Sequence, residues 1–264
     1  IKKVFFSVFD QDKRSKNLSS AKFKKKKILV KTGIKKEYAL SFYKSYFLRQ
    51  KKSLPYLDAK IAISNDYFTK STKSKWITNE HSRKRVHLLR SNYDCIMSTS
   101  KSINDDNPRL DCRIEGLEKK SPSIAIIDRN FILKKNINFL KKRNNKKIYL
   151  FTSVFNKSKE RYLKKRGVKI IRLKNMRHNK DFKQILLKIK SYGHSRIFLE
   201  SGLKLLNFFL LEKLIHNLYV FKTKSNLNKN GINYASSYLL KKIKFKNKIQ
   251  VNLLGDSLYK VSLK

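Results

Sequence analysis

The stretch RIFLESGLKLLNFF, residues 196–209, reads as two elements joined by a corner. Arg196–Glu200 is an apolar run of strand length, and the run beginning at Gly202 is apolar and of helix length. A buried strand that turns through Ser201-Gly202 into a helix is the unit from which α/β sheets are built. In such sheets ligands bind just beyond the carboxyl ends of the strands. A helix starting there presents free N–H groups and the positive end of its dipole to a phosphate, and Gly202 admits close backbone approach. Taken alone, the corner reads first as an ordinary strand-to-helix turn.

Working outward, the same alternation recurs. YLDAKIAIS (56–64), CIMS (95–98), SIAIID (123–128), KIYLFT (147–152), VKIIRL (168–173) and HNLYVFKT (216–223) read as strands. Between them a helix is predicted over 79–92, capped by Thr78, with Val86, Leu89 and Tyr93 inward. KSKERYLKKRG (157–167) and DFKQILLKIKSYG (181–193) read as helices that end in glycine. KIQVNLL (248–254) and YKVSL (259–263) follow one another as strands without a helix, which predicts an antiparallel edge. The expectation is an α/β domain with a mostly parallel sheet. Upstream, VFFSVF (4–9) and KILV (27–30) read as strands, with a lysine-rich stretch of possible helix between them. KKEYALSFYKSYFLRQKK (35–52) reads as a helix with Tyr38, Phe42, Tyr46 and Phe47 near one face. KKSLP (51–55) reads as a linker, because Pro55 cannot follow a helical residue comfortably. A domain boundary is expected between residues 52 and 53.

The 264 residues are 40% hydrophobic and include 17 Phe and 13 Tyr, enough for a sizeable core. No apolar run reaches the ~18 residues of a membrane span. The formal net charge is +47, from 65 basic and 18 acidic residues. Such a field attracts phosphorylated ligands, and it leaves open a basic nucleic-acid-binding or organellar ribosomal protein. Against that reading, the basic residues are spread along the whole chain. Lys, Asn, Ile, Phe and Tyr also share adenine- and thymine-rich codons. Cys95 and Cys112 lack metal-ligand spacing and read as buried thiols of a reducing cytoplasm.

SINDDNPRLDCR (102–113) concentrates acids and amides in a basic chain. Its Ser, Asn and Asp side chains bond their own backbone readily, so it reads first as a well-made loop. Adjacent carboxylates without histidine do not fix a metal geometry, and no metal is expected there. No Walker lysine loop or serine-nucleophile elbow is present.

Five pieces taken in order resemble one family. KIAISND (60–66), SKWIT (74–78), VHLLR (86–90), SINDDNPRLDCR (102–113) and ESG (200–202) look like the reductase domain of the bacterial bifunctional riboflavin-biosynthesis deaminase/reductase. The resemblance covers about residues 53–264. It implies a dihydrofolate-reductase-like three-layer α/β sandwich, a cytoplasmic enzyme and a homodimer. It also implies NADPH-dependent reduction of a phosphoribosylamino-pyrimidine to its phosphoribityl form. By matching positions, Ser74, Arg90, Leu110, Arg113 and Glu200 would contact substrate, with the two arginines toward its phosphate. Trp76, Ser102, Asp106 and Arg129 would lie against NADPH. So would the corner and helix from Gly202 through Leu203, Lys204, Leu205, Leu206, Asn207 and Phe208. Lys60 and Glu200 would be catalytic, with the Lys60 ammonium donating to the oxygen at which the sugar opens. Departures from the family pattern are Tyr67 in place of a glycine, a shorter loop between Ser64 and Trp76, and Ser102 in place of threonine.

Residues 1–52 are similar to the tail of that family's deaminase domain. The zinc-binding elements of such a domain are absent from the chain and would lie upstream of Ile1. The rival class predicts that these motif residues scatter. The reductase reading predicts that Trp76, Arg90, Asp106, Arg113 and Glu200 meet in one cleft.

Overall fold

A computed structural model describes residues 1–12, 14–15, 18–50, 53–141, 146–235, 243, 245 and 247–264. The chain divides into two compact units, Ile1–Tyr56 and Leu57–Lys264.

In the first unit, β1 (Lys3–Phe6) pairs in parallel with β2 (Leu29–Thr32) across α1 (Leu18–Lys25). A long helix, α2 (Lys36–Gln50), follows. Both strands are shorter or shifted relative to the apolar runs that predicted them. On α2, Tyr43 sits against Phe42, Tyr46 and Phe47, whereas Tyr38 and Phe42 are largely exposed. The predicted linker begins at Lys51 and Lys52, which lie outside the described residues.

The second unit is built on one large sheet. Its strands are β3 (Tyr56–Ile63), β5 (Cys95–Thr99), β6 (Ser123–Ile127), β7 (Ile148–Thr152), β8 (Val168–Arg172), β9 (Arg196–Leu199), β10 (Asn217–Lys222) and β12 (Ser257–Ser262). Among the described residues the order is β12-β10-β3-β9-β5-β6-β7-β8. From β9 through β8 the neighbours run parallel, as do β10 and β3. β12 runs antiparallel on β10 and forms the edge. All five residues of β7 and four of β5 are buried, as expected where both faces of a parallel sheet are covered. The connecting helices are α3 (Glu80–Arg90), α4 (Ser100–Asp106), α5 (Asn138–Lys141), α6 (Lys157–Lys165), α7 (Asn179–Ser191) and α8 (Leu203–Leu211). The core joins Ile96, Ile124, Ile126, Leu150, Phe198 and Phe221 of the sheet to Val86, Leu89, Leu140 and Leu163 of the helices.

Several local expectations change. The Ser102–Asp106 stretch is helical, not a loop. Thr99 caps α4 through its hydroxyl, which accepts from the Ser102 N–H, and Asn107 ends it in the left-handed region at φ 43°. Asn79, not Thr78, caps α3, accepting from the Ser82 N–H. The 248–254 run forms a single bridge, Lys248 to Tyr259, rather than a strand. Asn79 Nδ2 instead donates to the Leu253 and Leu254 carbonyls. A two-stranded ribbon pairs β4 (Phe68–Ser71) with β11 (Gly231–Tyr234). A Cβ at Gly231 would overlap the Phe68 ring at 2.2 Å, so this crossing requires glycine. Among the described residues no helix is long and apolar enough to cross a membrane.

Candidate active site at the carboxyl edge of the sheet

Strand alternation places Asp58 and Lys60 of β3 on one face of the sheet, and Phe198 with Glu200 on one face of β9 and its extension. Tyr93, just beyond α3, identifies the shared side. Its ring stacks on Phe198 at 4.6 Å, and its hydroxyl donates to Asp58 Oδ2 at 2.6 Å. On α3 itself, His87 and Arg90 are three residues apart and therefore neighbours on one side of the helix.

The centre is a forked ion pair. Arg90 Nε and Nη2 donate to Glu200 Oε1 and Oε2 at 2.6 and 2.9 Å, with both side chains 11% exposed. Burial alone would push the Glu200 carboxyl up. The Arg90 charge and fork, helped by Lys60, override that and hold it below the ordinary carboxylate range. Burial lowers the Lys60 ammonium. Glu200 and Asp106 oppose that effect, and Arg90 adds to it. Lys60, Arg90, Asp106 and Glu200 thus share one electrostatic neighbourhood.

The segment after α4 closes the other side. Asn104 and Asn107 anchor it to residues 132–138: Asn104 receives the Lys134 N–H and donates to the Ile132 carbonyl, while Asn107 receives the Asn138 N–H. Leu110, at φ 46°, turns its side chain into the core with 3% exposure. Its side chain is therefore occupied by packing, and its carbonyl accepts from Lys146 Nζ at 3.5 Å. Asp111 is buried and pairs with Arg109 Nε at 3.1 Å and Arg113 Nε at 3.3 Å. The Asp111 carbonyl accepts from Arg90 Nη1 at 3.0 Å and meets His87 Nδ1 at 2.8 Å. Arg113 Nη2 meets His87 Nε2 at 3.0 Å, and its side chain remains 53% exposed. The two arginines therefore differ. Arg90 donates to both Glu200 oxygens and the Asp111 carbonyl and its side chain is 11% exposed, while Arg113 has an open side.

At the corner, Ser98 Oγ donates to the Glu200 carbonyl at 2.6 Å, and the Glu200 N–H donates to Met97. The Gly202 N–H donates to Ser102 Oγ at 3.1 Å, which joins α4 to the start of α8. The first bond within α8 runs from the Leu206 N–H to Gly202, and no side chain caps the helix. The N–H groups of Leu203, Lys204 and Leu205 are thus presented without an intrahelical partner. Gly202 has φ −66°, so the corner does not need glycine for its backbone conformation. Leu206 is buried, and the half-buried Phe208 packs on Phe182 of α7 at 4.8 Å, so both side chains are engaged in packing. Asn207 Oδ1 is buried without a hydrogen bond. Arg129 follows β6 on the surface, with its guanidinium on Asn130.

Of the predicted residues, Lys60, Arg90, Asp106, Arg113 and Glu200 come together, and Ser102 links them to the α8 corner. Ser74 and Trp76 lie on an exposed loop outside this hydrogen-bonded cluster. The Trp76 ring, 54% exposed, sits between Lys75 and Arg83. Sequence reading missed His87 and Asp111. The one signal for His87 was its spacing of three from Arg90, and Asp111 lay inside a motif read for its neighbours.

The family model described as RibD C-terminal domain matches residues 55–222. The riboflavin biosynthesis protein RibD of Aquifex aeolicus is 27% identical over 223 residues, 84% of this chain and 61% of that protein. The chain thus spans about six-tenths of that relative. The 5-amino-6-(5-phosphoribosylamino)uracil reductase of Buchnera aphidicola subsp. Acyrthosiphon pisum is 30% identical over 191 residues, 67% of this chain and 87% of that one. The solved RibD of Acinetobacter baumannii has a similar fold, with a TM-score of 0.79, 20% identity, and coverage of 99% of this chain and 72% of that one. With the match running through β3, the Arg90–Glu200 pair and the α8 corner, the chain belongs to the RibD C-terminal domain family.

Proposed function

We propose that this protein reduces 5-amino-6-(5-phosphoribosylamino)uracil to 5-amino-6-(5-phosphoribitylamino)uracil with NADPH. The observation that carries this reading is the cluster at the carboxyl edge. A half-buried lysine lies beside a forked Arg90–Glu200 pair, a half-exposed Arg113 lies to one side, and an uncapped helix start lies to the other. The Buchnera relative named as the reductase of that substrate is 30% identical over 191 residues.

The three free N–H groups at the start of α8 fit a dinucleotide pyrophosphate. Ser102, Asp106, Arg129 and Trp76 border the same cofactor in this reading. A bound nicotinamide supplies the hydride that reduces the former anomeric carbon. The chain's own residues hold and prepare the substrate. Arg113 takes the phosphate through its open side, and Glu200, fixed by Arg90, takes polar groups of the substrate at a set position. Lys60 holds a proton at Nζ and donates it to the sugar oxygen as the ring opens. Its burial eases that release, because desolvation disfavours the charged ammonium.

Residues 1–52 we assign to the tail of a deaminase-like domain. The β1-α1-β2-α2 order supports this, as does the coverage of 99% of this chain by the Acinetobacter fold. No zinc role is assigned to this chain, and the described residues hold no cluster of three or more His, Cys, Asp or Glu. The reductase unit is assigned as a homodimer.

The test is NADPH oxidation with the deaminated phosphoribosylamino substrate. We expect turnover, and Lys60→Met should lower kcat by about 10²–10⁴ with KM within a few-fold of wild type. Absence of both turnover and NADPH binding would sink the reading.

A further inference from the structure

A half-exposed guanidinium binds phosphate well only if its plane is fixed beforehand, because two N–H groups must line up at once. Two groups hold Arg113: the Asp111 carboxylate, an ion-pair contact 3.3 Å from Nε without hydrogen-bond geometry, and His87 Nε2, the one hydrogen-bond partner among the described residues, 3.0 Å from Nη2. A guanidinium only donates, so Nε2 must be a bare acceptor. The other ring nitrogen, Nδ1, faces the Asp111 carbonyl oxygen at 2.8 Å. A carbonyl only accepts, so Nδ1 must carry the proton. One species satisfies both bonds, the neutral imidazole protonated at Nδ1. Arg90 Nη1 also lies 3.5 Å from Nδ1, but its better bond is to the Asp111 carbonyl at 3.0 Å.

We infer that His87, as the neutral Nδ1–H imidazole, is a positioning residue that aims the Arg113 guanidinium at the substrate phosphate. This rests on the assignment of Arg113 to that phosphate. Protonating the ring would remove the Nε2 acceptor and set a third cation beside two guanidiniums. The charged groups facing the ring are Arg90 on the same helix, Asp111 and Arg113 from the segment after α4, and Glu200 from the end of β9. Burial first, then Arg90 and Arg113, lower the tendency of the ring to protonate. The Asp111 carbonyl and carboxylate oppose this and do not reverse it. The device therefore works at neutral pH and fails as the medium becomes acidic.

The experiment is steady-state NADPH oxidation between about pH 5.5 and 8.5 for the wild type, H87L, H87Q, R113A and H87L/R113A. Leucine removes the acceptor, whereas glutamine offers a carbonyl oxygen near Nε2 and does not titrate. H87L should raise KM roughly tenfold with kcat within about twofold, the size expected for one charge-assisted hydrogen bond. H87Q should stay within about threefold of the wild-type KM at pH 8. The substrate phosphate itself titrates near about pH 6 and raises KM in every variant. Wild type should rise more steeply in acid than H87Q, and the difference isolates His87. The double variant should be no worse than R113A.

A folded H87L with wild-type KM, beside an R113A that raises KM, overturns the role of His87 and spares the phosphate assignment. An R113A with wild-type KM overturns the phosphate assignment and this inference with it. Should H87L not fold, nitrogen-15 NMR of the wild-type imidazole decides. A neutral ring with an unprotonated Nε2 at about pH 7 is expected, and an Nε2–H tautomer or a charged ring overturns the inference.

Discussion

Two polar clusters share one face of β3, and they are built on opposite plans. At the amino end of β3, Asp58 receives the Tyr93 hydroxyl at 2.6 Å and the Asn217 N–H and amide at 2.9 and 2.8 Å. Two residues along, Lys60 sits beside Arg90, Glu200 and Asp106. The first cluster meets its acid with neutral donors and seals it. The second meets its acid with a guanidinium and extends through Asp111 and His87 to a half-exposed Arg113. A neutral closed network holds a fold together, while a charged network with an exposed arm can act on a ligand. β3 is shared, so the difference lies in what the neighbouring strand and the covering residues bring: Asn217 of β10 and Tyr93 in one case, Glu200 at the end of β9 and Arg90 in the other.

The largest expected effect comes from opening the charged cluster. Arg90→Ala leaves the Glu200 carboxylate buried and without its forked partner, which costs about 3–5 kcal/mol of stability. Turnover should fall with it. Chemical denaturation at neutral pH, run beside the activity assay, checks both. A variant as stable as the wild type would mean that the fork does not hold the end of β9.

The sealed cluster should respond differently. Tyr93→Phe keeps the ring stack on Phe198 and removes one hydrogen bond to Asp58, a loss of about 1–3 kcal/mol. kcat and KM should stay near wild type in the fraction that is folded. A loss of activity beyond that fraction would show that the two clusters are one, and the contrast drawn above would fail.

The same contrast explains what was legible in the sequence. The strands of the large sheet were readable because β5, β6 and β7 are short apolar runs buried on both faces, and burial leaves a mark on composition. The five motifs were readable as an ordered set. What the side chains do within them depends on partners far away: Arg90 meets Glu200 across 110 residues, and His87 meets Arg113 across 26. Helix α4 was missed because seven residues carry little apolar periodicity and its cap, Thr99, lies upstream of the stretch that drew notice. The β4–β11 ribbon was missed because each strand is only four residues long, and the apolar face of β11 is just Ile232 and Tyr234. The 248–254 run misled for the converse reason. Its alternating apolar residues pack as a strand would, but pairing stops near Lys248 and Ile249, and the Leu253 and Leu254 carbonyls at its end go to Asn79.

The smallest effects should separate the clusters by sign. Burial raises the Asp58 carboxyl above its ordinary value, and the Tyr93 and Asn217 bonds oppose that without reversing it. Glu200 is lowered. A raised carboxyl binds its proton more tightly when folded, so its contribution is full below the unfolded value of 3.8 and is lost as pH rises through the folded value. A lowered carboxyl does the reverse. Its contribution is full above 4.5 and is lost as pH falls through the folded value. Asp58→Asn and Glu200→Gln remove these titrations one at a time. Denaturation followed from about pH 3 to 7 should show the stability of Asp58→Asn rising relative to wild type as pH increases, and that of Glu200→Gln falling, each by at most about 1.4 kcal/mol per unit of pKa displacement. Equal slopes would mean that the two acids feel the same surroundings. The Arg90 fork would then be no stronger a partner to Glu200 than a tyrosine and an amide are to Asp58.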